Sequence, residues 1–199
     1  MIYILMHHNP YIRAGSAIGV TLLVLMATSV ISWALLPQGI FRVGWGTSLG
    51  KISIAQAMLR IFVLNMFFGA GGLLLLNQWK GMKGLAVGYY VHLWRSGVFY
   101  GLIRGTNSFT FPYSSLSDSL RGFLLVGLWE TVGLSLVCAS TALLARYPTN
   151  SAGGFLGLAA FLRRPAVSMS RQEIALLLAG VGLLGLAAVA EAVNIAQST

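Results

Sequence analysis

Acidic residues are scarce in this sequence, and charged residues of either sign are few. Only four Asp and Glu occur among 199 residues, 9% of the chain is charged, and 57% is hydrophobic. Soluble domains carry about 25% charged residues. The composition therefore excludes an ordinary soluble domain and indicates one integral membrane domain.

Cysteine and catalytic motifs are also lacking. Cys138 is the only cysteine, which excludes an internal disulfide and a thiolate metal cluster. The histidines are His7, His8 and His92, and no HExxH, paired-Asp or phosphate-binding glycine motif occurs. We therefore predict a protein that is not an enzyme and requires no metal or other cofactor. Axial ligation of a haem or pigment by His92 is the alternative.

Long apolar runs recur along the chain, each of about 20 residues and so long enough to cross a hydrocarbon core of about 30 Å. They predict an all-α polytopic membrane protein with about five transmembrane helices. The predicted spans are residues 15–36, 54–77, 82–103, 119–145 and 172–196, in a single domain over 15–196. Residues 1–14 are predicted to form a cytoplasmic or interfacial segment. The apolar run 153–162 is too short to span and is predicted to be interfacial or re-entrant.

Basic residues give the chain a net charge of +9. No basic run with interleaved aromatics occurs, so the charge predicts membrane orientation and no nucleic-acid binding. With five spans, the basic loop residues fall on two sides of the membrane. One side carries seven of them: Arg13, Lys80, Lys83, Arg146, Arg163, Arg164 and Arg171. The other side carries three: Arg42, Lys51 and Arg104. The richer side is expected to be cytoplasmic. The N-terminus is therefore predicted in the cytoplasm and the C-terminus outside.

One of the four acids, Glu130, lies in the middle of the apolar stretch GFLLVGLWETVGLSLV. At 1.5 Å per helical residue, Glu130 and Arg95 fall at the same depth of neighbouring spans. A lone charge at that depth costs at least about 2.5–3.5 kcal/mol, which a contact between opposite charges offsets. We therefore predict an Arg95–Glu130 pair with His92 one turn away. Arg60 and Glu191, near outer helix ends, form a second candidate pair.

Three interpretations of these residues, together with Asn65 in the second span, stay open. The pairs either lock helices together, since losing one partner of a buried pair is costly, or line a polar cavity for an ion, proton or substrate. A role facing a protein partner is a third reading.

Glycines are spaced for close helix packing in the third span. Gly81, Gly84 and Gly88 follow three- and four-residue steps that continue to His92 and Arg95, so they are predicted to share one face. Gly97, Gly101 and Gly105 form a second face, roughly opposite. Small residues at such steps let helices approach closely. The third helix is therefore predicted to be central in the bundle.

The order of these features resembles the stage II sporulation protein M family of bacteria and archaea. The resemblance rests on Asn65 in IFVLNMFFGAGGLLLL, on Gly81 and Gly84 in the turn WKGMKG, on Gly127 and Glu130 in VGLWE, and on Glu191 and Ala192 in LAAVAEAVNI. Leu64 replaces the second Asn of the family's pair, Lys80 stands where the family favours Asn, and Val126 where it has His. The resemblance implies a membrane component without established catalysis, in a prokaryotic inner membrane.

The function predicted from these features is that of a non-enzymatic membrane subunit or scaffold. It would bind other integral membrane proteins, with lipids around it, and could be an accessory subunit of a larger complex. The aromatic loop NSFTFPYSS is a candidate partner surface. The alternative is a channel or transporter that uses the Arg95–Glu130 site.

Overall fold

The computed structural model describes residues 2–41, 53–81, 84–109, 112–144, 147–148 and 169–198. Within these ranges the helices are α1 (Ile2–Leu5), α2 (Pro10–Leu35), α3 (Ile54–Leu76), α4 (87–105), α5 (116–144) and α6 (Arg171–Ser198). Strands β1 (Trp79–Lys80) and β2 (Tyr147–Pro148) pair in parallel. The all-α prediction is confirmed apart from this short pairing. The run 153–162 and the basic residues Arg42, Lys51, Lys83, Arg146, Arg163 and Arg164 lie outside the described residues.

Four helices are long and apolar enough to cross a membrane, namely α2, α3, α5 and α6, with mean hydropathy between 1.8 and 2.2. Helix α4 occupies the third predicted span but carries His92, Arg95 and Arg104, and it is not among the four. Composition and length thus support a membrane protein with four apolar spans. The remaining long helix, α4, is held in the bundle by its contacts with α2, α3 and α5.

Local signals set where two of these helices begin. The side chain of Asn9 accepts a hydrogen bond from the Tyr11 amide and Pro10 opens α2, so that this helix starts before the predicted residue 15. Helix α4 starts at Val87. The segment before it turns at Gly84, whose φ of +77° suits glycine. Gly81 and Gly84 therefore precede the helix, and the prediction that they share a face of it is wrong.

Helix α5, and not α4 as predicted, lies at the centre of the bundle. It contacts α2, α3, α4 and α6. Half of its most apolar stretch is buried, against 17–28% for the other three apolar helices. The contact with α6 is closest where Gly133 and Gly180 face each other, since a Cβ on either would lie within 2.9 Å of the other's carbonyl oxygen. Such close approach is typical of small residues in membrane bundles.

The chain ends and loops gather at two poles, as an up-and-down bundle requires. At one pole Arg13 of α2 contacts Glu173 of α6, and β1 pairs with β2. At the other pole the Gly39 amide donates to the Thr106 carbonyl over 2.6 Å. The start of α2 thus lies at the same pole as β1 and β2, whereas Gly39 after α2 lies beside Thr106 at the end of α4. Tyr3, His7 and His8 are exposed whereas Arg13 and Ala14 are buried, and the interfacial segment over 1–14 stays a prediction.

Candidate functional site

The predicted contact between Arg95 and Glu130 is present in the structure. Arg95 lies midway along α4 and Glu130 midway along α5, and Arg95 Nη2 donates to Glu130 Oε1 over 3.1 Å. The pair is not sealed in the core, since 41% of the Arg95 side chain and 24% of the Glu130 side chain are exposed. A paired but accessible charge midway along two helices is the central feature of the site.

Glycines on the neighbouring helices make room for this pair. A Cβ at Gly69 of α3 would lie 3.2 Å from Arg95 Nη1 and 3.0 Å from Leu134 Cδ2, so the guanidinium reaches toward α3. A Cβ at Gly127 would lie 2.7 Å from the Tyr100 hydroxyl, one turn before Glu130. The pair therefore sits where α3, α4 and α5 meet.

Arg95 also borders a cavity of about 40 Å³ between α3 and α4. Its other lining residues include Phe68, Gly72, Leu73 and Val91, and Phe68 is 79% exposed. Sites for small molecules usually measure about 300–1,000 Å³. This cavity is much smaller and is the inner part of a groove that opens at the helix surface.

Three stretches of π-helix surround the pair. They are Asn65–Gly71 in α3, Leu93–Phe99 in α4 and Phe123–Gly127 in α5. Gly69 and Arg95 each lie within one of them, and the half-buried Asn65 begins the first. π-Helical turns are rare and occur frequently at functional sites. No simple periodic signal in the sequence marked these three stretches.

Arg60 and Glu191 do not form the second predicted pair. Within the described residues the ion pairs are Arg95–Glu130 and Arg13–Glu173. Arg60 is exposed on α3, whereas Glu191 of α6 lies on the α5 side, near enough to Glu130 for the two charges to interact. The prediction rested only on the similar depth of Arg60 and Glu191 along their spans. In the structure the two side chains project from their helices in different directions.

His92 is tied into the core by hydroxyl groups. Its Nε2 lies 2.8 Å from Ser135 Oγ of α5, and its Nδ1 lies 3.3 Å from Ser96 Oγ. Ser135 Oγ also donates to the Thr131 carbonyl over 2.8 Å. Both ring nitrogens have hydrogen-bond partners within the protein. The Ser135 hydroxyl is fully buried.

The remaining predicted glycines lie at helix contacts. A Cβ at Gly97 would lie 3.0 Å from Val24 of α2, and one at Gly101 would lie 2.8 Å from Thr28, so this face packs on α2. A Cβ at Gly88 would overlap the Asn77 side-chain oxygen on α3's end. The predicted two-sided packing of α4 is therefore present, against α2 on one face and α3 on the other.

A second polar cluster, which the sequence analysis missed, ties one pole together. Arg13 is fully buried, and its Nη2 donates to Glu173 Oε1 over 2.6 Å. Its Nε donates to the Ala139 carbonyl over 2.6 Å and its Nη1 to the His7 carbonyl over 2.7 Å. These bonds join α2, α5 and α6. The distribution of charges along the sequence predicts only an orienting role for Arg13.

Asn77 forms a further buried tie near the same pole. Its Nδ2 donates to Thr141 Oγ1 over 2.7 Å and to the Cys138 carbonyl over 2.9 Å. Asn77 and Cys138 are both fully buried. This bond fixes the end of α3 against α5 and agrees with a packing role for Cys138.

The aromatic loop predicted as a partner surface is partly described. The Asn107 side chain bonds both the amide and the carbonyl of Tyr113, over 3.0 and 2.9 Å. Phe109 packs edge-on between Tyr100 and Tyr113. Burial raises the pKa of the Tyr113 hydroxyl. The described part of the loop thus folds back on α4, where Phe109 packs against Tyr100.

Comparison with protein-family models, curated proteins and solved structures found no match to this chain.

Proposed function

We propose that this protein is a non-enzymatic integral membrane subunit that binds other membrane proteins, as an accessory part of a larger membrane complex. The single observation that carries the proposal is the exposure of the Arg95–Glu130 pair, 41% and 24% of the two side chains, at the middle of α4 and α5. Charged groups at this depth almost always face protein or a water-filled cavity. A partner that covers the pair would meet this requirement.

The proposal includes a membrane topology and a location. The chain crosses the membrane five times, with α4 as the third crossing, the N-terminus in the cytoplasm and the C-terminus outside. The grouping of loops at two poles supports an up-and-down path. The motif resemblance to the stage II sporulation protein M family supports a non-catalytic component of a prokaryotic inner membrane.

The alternative function is a channel or transporter that uses the Arg95–Glu130 site. It draws support from the nearby carboxylate of Glu191 and from the accessibility of the pair. The cavity beside Arg95 has a volume of only about 40 Å³. A small-molecule substrate needs several times that space, so we favour the subunit.

Purification from the native membrane in a mild detergent tests the proposal. We expect the tagged chain to be recovered with a stoichiometric membrane-protein partner. The double variant Arg95→Leu/Glu130→Leu, which removes both charges together, should lose that partner. Arg60→Gln alters an exposed charge away from the pair and should keep it. Recovery of the chain alone, with solute flux in liposomes that Arg95→Leu/Glu130→Leu abolishes, would overturn the subunit in favour of the transporter.

A further inference from the structure

We infer that the groove between α3 and α4 is a docking site for one transmembrane helix of another protein, and that this helix presents an uncharged hydrogen-bond acceptor to Arg95. The inference rests on the proposed function and names the place and the chemistry of the contact. We call this surface the Arg95 groove, and it is lined by Phe68, Gly69, Gly72, Leu73, Val91 and Arg95.

The first argument is the hydrogen-bonding capacity of Arg95. A guanidinium has five N–H donors. Within the described residues Arg95 uses one nitrogen, Nη2, on Glu130, and Nη1 is directed toward Gly69 at the groove wall. Lipid chains offer no acceptor, and unsatisfied polar groups in hydrocarbon are costly. The remaining donors therefore call for an acceptor at mid-depth from a protein that lies in the groove.

The second argument is charge. Glu130 already balances Arg95, and Glu191 lies near enough to Glu130 for their charges to interact. A second carboxylate in the groove would add an uncompensated negative charge beside these two acids. A side-chain amide or hydroxyl satisfies the Arg95 donors without adding charge. The acceptor is therefore that of Asn, Gln, Ser or Thr.

The third argument is shape. Between Phe68 and Leu76 the groove follows α3 for about 12 Å, or two helical turns. At Gly72 the wall is open, because the nearest atom to a Cβ placed there would be the Phe67 carbonyl oxygen at 4.0 Å. Phe68 stands at the rim with 79% of its surface exposed. An open glycine beside an exposed aromatic ring fits a helix that approaches closely through small residues.

Synthetic transmembrane peptides test the chemistry on the unaltered protein. A Leu/Ala helix with small residues and one central Asn is compared with the same helix carrying Leu or Asp in place of Asn. Binding to the full chain in liposomes is measured by energy transfer. We expect the Asn peptide to bind about 3- to 30-fold more tightly than the Leu peptide, the range of single polar contacts between membrane helices. The Asp peptide should bind no more tightly than the Asn peptide.

Two matched variants test whether the peptide binds in the Arg95 groove. Gly72→Leu fills the groove from its open wall, whereas Gly182→Leu adds the same side chain on the exposed face of α6, where nothing lies within 4 Å of a Cβ. Gly72→Leu should abolish the preference for the Asn peptide, and Gly182→Leu should keep it. Equal binding of the Asn and Leu peptides to the wild-type chain would overturn the inference, and that comparison needs no variant.

Two other outcomes separate this inference from the proposed function. If a native partner co-purifies with Gly72→Leu as well as with the wild type, the assignment of the docking site to the Arg95 groove is wrong, while the subunit proposal stands. If chains labelled with donor and acceptor dyes associate with each other, and Gly72→Leu abolishes this, the occupant is a second copy and the assignment to another protein is overturned.

Discussion

Arg13 and Glu173 meet at 2.6 Å although 160 residues separate them. Arg13 lies in the first turns of α2 and Glu173 in the first turn of α6, and the same guanidinium bonds the carbonyl of Ala139 on α5. Ser170 donates to the other Glu173 oxygen through both its amide and its hydroxyl, over 2.8 and 2.9 Å. Three helices are thus fastened at one pole by a single arginine.

Replacing Arg13 should therefore destabilise the bundle strongly. Arg13→Met leaves the Ala139 and His7 carbonyls and one Glu173 oxygen without their donor, and breaking a buried pair costs about 3–5 kcal/mol. We expect the lower end of that range, because Glu173 keeps its Ser170 bonds. Thermal unfolding in mild detergent, followed by circular dichroism, measures the loss. Arg171→Met, an exposed change at the same pole, should shift the midpoint little, and equal shifts in the two variants would contradict the prediction.

Exchanging the charges of Arg95 and Glu130 should restore what each single change loses. Arg95→Glu and Glu130→Arg each place two like charges together at mid-depth, where one unpaired charge costs at least about 2.5 kcal/mol. The double variant again has opposite charges at that position. The monodisperse fraction after detergent extraction reports folding. A double variant no better folded than either single one would show that the 3.1 Å contact contributes nothing.

Adding one methyl group at Gly88 should destabilise the contact between α3 and α4. A Cβ there would overlap the Asn77 side-chain oxygen and would lie 3.1 Å from the Leu73 carbonyl. Overpacking of this kind typically costs about 1–3 kcal/mol. Gly182→Ala is the matched control and should be neutral or slightly stabilising, because alanine is the better helix former. The midpoint of thermal unfolding should therefore fall for Gly88→Ala and stay unchanged or rise slightly for Gly182→Ala.

Cysteine labelling should place the two poles on opposite sides of the membrane. Cys138 is fully buried and should not react, so single cysteines can be added to the native sequence. His8→Cys and Gln172→Cys should be labelled from the cytoplasmic side by an impermeant maleimide, and Gln38→Cys from the outside. Labelling of His8→Cys and Gln172→Cys from different faces would contradict the up-and-down path.

The sequence predicts the helices well because apolar length is a local property. It also predicts the Arg95–Glu130 contact, because depth follows from counting residues along each span. It fails for Arg60 and Glu191, since depth does not say which way a helix turns its side chains. The predicted start of the third span, residue 82, is too early, because the turn at Gly84 interrupts the apolar run before α4.

Other features depend on packing that no single segment reveals. Ser170 and Glu173 form a capping box that is readable as S-x-x-E, but its link to Arg13 depends on α2 and α6 lying side by side. His92 finds Ser135 only because α4 crosses α5 at that level. The π-helical turns and the central place of α5 are likewise results of helix contacts.

The separation of 35 residues between Arg95 and Glu130 also bears on how the protein is made. During synthesis the helix with Arg95 leaves the ribosome before the helix that supplies its counter-charge. A helical hairpin with both charges enters hydrocarbon at a lower free energy than a segment with an unmatched arginine. Under the five-span topology proposed above, we therefore expect α4 and α5 to enter the bilayer together as a paired hairpin.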